Sequence, residues 1–201
     1  MKGKALLLLA QVFVVALALS TGVVAQNPQP VKLSGTISDY TSLTPGAQLW
    51  EMRGTWSLRM KGDSGTADFS AQLNMEHSDL GMINGAPTRT PHTHHITLND
   101  AQVILDPNYI ASNCPSAHYT PPTTTGLAVT GMASTTGNGG FAPFAPQGQQ
   151  SQLTVCITGS DQVGLSNITL VFPATNPDGT KNAAATHFGT QPINGVVKAE
   201  R

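Results

Sequence analysis

Apolar and polar residues alternate most strictly between positions 50 and 76. Trp50, Met52, Gly54, Trp56, Leu58 and Met60 take one set of alternate positions, with Glu51, Arg53, Thr55, Ser57 and Arg59 between them. A period of two belongs to a strand with one buried face. Beyond Gly62-Asp63-Ser64-Gly65 the pattern resumes with Ala67, Phe69, Ala71, Leu73 and Met75, so the two runs predict a long antiparallel hairpin. A slip of one residue would put every apolar side chain in water, and this pins the register.

Shorter strands are expected at Val31 to Ser38, His92 to Leu98, Gln102 to Leu105, Leu127 to Ala133, Gln152 to Thr158, Asn167 to Phe172 and Asn194 to Lys198. Divided by Gly, Pro and Asn, these segments predict an all-β fold, an antiparallel sandwich or a small closed barrel of roughly 8–10 strands. No helical period runs through this region, and only Lys181 to Ala185 reads as a turn of helix. The connections Ser78 to Pro91, Asp106 to Thr125 and Thr135 to Gln150 are longer than a compact β domain needs, and such loops often carry function.

The N-terminus changes the context. Lys2 and Lys4 precede an apolar run from Ala5 to Leu19, and small residues follow up to Ala25. This is the pattern of a secretory signal peptide, a helix over residues 1–25 that is cleaved and leaves a single all-β domain over 26–201. The apolar run falls short of the roughly 20 residues a spanning helix needs, so no stable membrane anchor is expected in the mature chain. The expected destination is the periplasm or the extracellular medium. Losing Lys2 and Lys4 takes the formal charge from −1 to −3. With no basic stripe or aromatic platform, that balance excludes nucleic acid as a partner. In an oxidising compartment Cys114 and Cys156 are expected to pair. The closed loop of about 43 residues is worth roughly 4 kcal/mol in the chain-entropy model.

Candidate chemistry is confined to one cluster. Gly62-Asp63-Ser64-Gly65 matches the string around a trypsin-like nucleophile, but all six histidines follow Ser64, whereas that family's general base precedes its serine. The tetrapeptide reads as a hairpin turn. In Pro91-His92-Thr93-His94-His95, a strand puts His92 and His94 on the face shared with Ile96 and Leu98, and His95 on the other. Two imidazoles so placed can reach one ion, with His95, His118 or His187 as a third ligand; His77, Glu76 and Asp100 are further possibilities. The cupin motifs are not met: Gly85 and Asp100 are off the first motif's spacing, and Ser151 and Val155 stand where the second needs its histidine and asparagine.

No complete catalytic set is visible. The leading expectation is therefore a non-enzymatic exported domain, stapled by a disulfide, that binds a small ligand, an extracellular partner or a surface. The alternative is a metal-binding protein or metal-dependent enzyme built on His92 and His94, with Zn or Cu as the cofactor. A lipocalin-like carrier is a third reading, kept open by small residues at inward positions such as Gly54, Ala67, Ala71, Gly131 and Ala133.

Overall fold

The computed structural model describes residues 31–40, 50–62, 65–77, 82–83, 86–87, 91–115, 126–138, 149–159 and 166–198. The expected signal peptide and His118 lie outside these residues. In chain order the elements are β1 (Lys32–Tyr40), β2 (Trp50–Met60), β3 (Thr66–His77), β4 (Met82–Ile83), β5 (Ala86–Pro87), β6 (His92–Ile104), α1 (Pro107–Asn113), β7 (Gly126–Asn138), β8 (Gln149–Gly159), β9 (Ser166–Val171), α2 (Ala183–Phe188) and β10 (Ile193–Lys198).

Eight strands close into an antiparallel barrel in the order β1-β10-β9-β8-β7-β6-β3-β2, and β4 and β5 form a separate two-stranded ribbon. Apart from that ribbon, each strand pairs with its neighbours in sequence, which makes an up-and-down barrel. The choice between sandwich and barrel is decided at β1, which pairs with β2 on one side and β10 on the other. Gly35 sits at this seam. A Cβ there would lie 1.9 Å from the Val196 carbonyl oxygen and 2.8 Å from Trp56 Nε1. Its absence lets the Trp56 indole donate to that same carbonyl at 3.2 Å across the closure.

The hairpin register follows the alternation. Met52 opposes Met75, Trp56 opposes Ala71 and Leu58 opposes Phe69. These side chains point inward and join one continuous core with Ile96, Leu98, Leu153, Val155, Phe172 and Phe188. Small inward residues are packed against large ones: Leu98 Cδ2 lies 3.5 Å from the site of a Cβ on Gly131, and Leu73 Cδ2 lies 3.0 Å from one on Gly54. They make room for large neighbours within the one core cluster, as side chains fill the inside of small eight-stranded barrels.

The two segments expected at His92 to Leu98 and Gln102 to Leu105 are one strand, β6, with an irregularity between Thr97 and Gln102. Asp100 adopts φ +52 there, and its carboxylate meets Lys61, which also bridges Asp68 at 2.8 Å. β7 runs on to Asn138, into the expected third loop. The second expected loop holds α1, begun by the Asp106 side chain accepting from Asn108 N, with Pro107 in the first turn. α1 packs outside the wall through Ile110, over Ala128 and Cys156. The Cys114–Cys156 disulfide, with Cα atoms 5.6 Å apart, ties α1 to β8. β8 accordingly buries six successive residues, Leu153 to Thr158, where β3 alternates strictly.

α2 occupies the opposite end of the barrel. Beyond the last β9 partner of β8, both main-chain groups of Gln152 are taken by asparagines: its N–H donates to Asn176 Oδ1 and its carbonyl accepts from Asn182 Nδ2, each at 2.9 Å. Asn182 also caps α2, accepting from Ala185 N at 3.0 Å, and Ser151 Oγ accepts from Ala184 N. Three alanines, Ala183 to Ala185, let the helix lie close on β8. The expected turn at Lys181 to Ala185 is thus the start of a helix that ends at Phe188.

Candidate metal centre

His92 and His94 project inward from β6, buried under Trp50 and against Phe188. His187 reaches them from α2, where Asn182 and Ser151 anchor the helix and Phe188 stacks on Phe172. His187 Nε2 lies 2.9 Å from His94 Nε2 and 3.3 Å from His92 Nε2. One ring nitrogen from each of the three lies within 4.8 Å of the others. For comparison, bond lengths of 2.0–2.1 Å in a tetrahedral site give nitrogens about 3.3 Å apart.

Proton placement follows from one contact. His94 Nδ1 faces the Thr136 carbonyl oxygen at 3.2 Å. A carbonyl only accepts, so Nδ1 carries the proton and Nε2 presents its lone pair to the other two rings. The β6–β7 ladder sets His94 opposite Gly137, next to Thr136. Fixing the outer nitrogen of a histidine on a backbone carbonyl is how metal-ligating imidazoles are commonly oriented.

Electrostatics keep His94 and His187 neutral. Burial, reinforced by the neighbouring His187 and His92, pushes His94 down to about 3 despite the opposing Thr136 carbonyl. Burial and then His92 push His187 down to about 4. Both rings are therefore neutral at neutral pH, the protonation state from which imidazole binds metal.

Among the expected third ligands that are described, His187 is the one brought to the pair. His95 points outward and is exposed, opposite Gln72 and Thr136. Its place in the alternation, one residue from His94, puts it on the far face of the wall. Glu76 is also exposed on the outside, and Asp100 is engaged with Lys61. The His77 side chain lies outside what is described. Sequence reading missed the residues that support the site, namely Thr136, Phe188, Asn176 and Asn182. The Asn182 cap ahead of an alanine run was a legible signal; the others had none.

The fold and the site together define a class, an up-and-down barrel with a three-histidine cluster beneath a helix docked at one end. Compared with protein-family models, curated proteins and solved structures, the chain matches none. Among the described residues no helix is long and apolar enough to cross a membrane.

Proposed function

We propose that this chain is an exported metal-binding protein, in which His92, His94 and His187 hold one transition-metal ion at the α2 end of the barrel. The observation that carries the reading is the meeting of three Nε2 atoms while the Thr136 carbonyl fixes the outer nitrogen of His94. Three imidazole nitrogens gathered in one buried place are the donor set that a transition-metal ion takes. Zinc and copper are the ions that suit imidazole nitrogens. Burial of two of the ligands favours retention of an ion over turnover at it, so the role is binding and not catalysis. The disulfide supports export to an oxidising compartment.

Elemental analysis of untagged protein, purified from its secreted or periplasmic fraction, tests this. About one equivalent of Zn or Cu is expected, lost in His94→Ala, together with a rise in melting temperature on metal addition. Less than about a tenth of an equivalent after metal loading, with unchanged melting, refutes the reading. N-terminal sequencing of the same material checks export: the mature chain is expected to start at Gln26, and an intact Met1 would contradict it.

A further inference from the structure

We infer that the ion selected by this centre is monovalent copper, Cu(I), and that the thioether of Met75 is its fourth donor. The inference rests on the three-histidine reading above and adds the charge of the ion and one residue. Ion uptake and release occur as Cu(I), with no change of oxidation state.

The surroundings offer an ion almost no compensating charge. The three ligands are neutral imidazoles, and among the described residues no carboxylate joins their group. The segments that join strands at this end, residues 41–49, 78–91, 139–148 and 172–192, contain two acids in all, Asp79 and Asp178. Asp178 is spent on Thr180. At the neighbouring strand ends, Glu51 pairs with Arg53, Asp39 accepts from Asn194 and Glu76 is exposed on the outer face. Among the described residues, a divalent ion would find no carboxylate in its group to answer its charge. Born solvation scales with the square of charge, so a monovalent ion there costs about a quarter as much.

A soft donor lies beside the histidines. Met75 on β3 is the direct cross-strand partner of His92, and Met52 on β2 is the partner of Met75. Both methionines are fully buried on the inward face, as His92 is buried beneath Trp50. Side chains directly opposed on one face have Cβ atoms about 4.5–5.5 Å apart. Three rotatable bonds let the Met75 sulfur turn to an ion held by His92. Imidazole suits zinc and copper alike, whereas a thioether favours Cu(I). The neutral charge of that sulfur leaves the low-charge argument intact.

The test compares two ions on wild type, Met75→Leu and His187→Ala, using mature untagged protein under anaerobic conditions. Cu(I) affinity is read by competition with a chromophoric Cu(I) chelator, Zn(II) affinity by competition with a zinc chelator. Leucine conserves the volume of methionine, a swap that cores tolerate. Met75→Leu is expected to weaken Cu(I) about tenfold or more while Zn(II) stays within about twofold, and His187→Ala to weaken both. Copper-edge X-ray absorption of the wild type, which needs no variant, is expected to show a sulfur neighbour with the nitrogens. A nitrogen-only shell, or Cu(I) affinity unchanged in Met75→Leu, overturns the inference and leaves the three-histidine centre standing. A centre that takes Zn(II) only together with an added anion such as azide overturns it in favour of a divalent site completed from solution. Failure of both ions to bind overturns the three-histidine reading as well.

Discussion

Asn182→Ala separates the wall of the barrel from the helix that completes the site. The wild-type side chain is fully buried and does two things at once, accepting from Ala185 N at 3.0 Å and donating to the Gln152 carbonyl at 2.9 Å. Loss of the cap costs about 1 kcal/mol. The Gln152 carbonyl then loses the partner that its edge position gives it, at a cost of about 1–3 kcal/mol. Together these predict a loss of about 2–4 kcal/mol in urea or guanidinium unfolding of the metal-free protein. His187 rides on the loosened helix while His92 and His94 stay on β6, so metal affinity is expected to fall about 10–100-fold, the usual effect of removing an outer support. Asn182→Asp sharpens the test. It keeps a good cap but exchanges the donor facing Gln152 for an acceptor, so most of the loss should persist. A loss below about 0.5 kcal/mol in Asn182→Ala, or full metal affinity despite the destabilisation, would refute the claim that this asparagine positions His187.

Other perturbations probe the remaining parts. The metal-free protein should lose stability as pH falls from about 6.5 toward 4, because the unfolded chain protonates histidines that the folded chain keeps at about 3 and about 4. The slope is at most about 1.4 kcal/mol per pH unit for each of His94 and His187. Denaturation midpoints in the presence of a chelator measure it; a flat profile, or an equal slope in His94→Gln, contradicts the assignment. Thr135 Oγ1 is buried and has no hydrogen-bond partner among the described residues. Thr135→Val should therefore stabilise the fold by about 1 kcal/mol, and a comparable loss in thermal unfolding would mean the hydroxyl has a partner. Replacing Cys114 and Cys156 together by alanine should cost about 2–5 kcal/mol while leaving metal stoichiometry unchanged, since α1 packs on the outer wall away from the histidines. Loss of bound metal in a still-folded double variant would show that the two ends are coupled.

The sequence by itself determined everything that depends on near neighbours. Strict alternation constrained the β2–β3 register, in which Trp56 faces Ala71 and Leu58 faces Phe69, because a slip of one residue exposes the apolar set. It also put His92 and His94 on one face and His95 on the other, as the two-residue period of a strand requires. Two cysteines in a chain with a leader-like N-terminus were enough to expect their bond. The Asp106-Pro107 start of α1 was written there too, but its single buried residue at Ile110 gave no helical period to detect.

Tertiary structure decided the rest. Closure of β1 on β10 depends on the fit of Trp56 over Gly35, and a pattern read one strand at a time contains no information about which edge meets which. The same holds for the third histidine. His187 stands 93 positions from His94, and nothing local distinguishes it from His118 or His77. It reaches the pair because Asn176 and Asn182 take over the edge of β8 where β9 stops, laying α2 across that end. Alternation can say that two imidazoles face inward, but only the closed barrel says what faces them, since a ligand set is defined by distances in space and the chain sets those only once its ends have met.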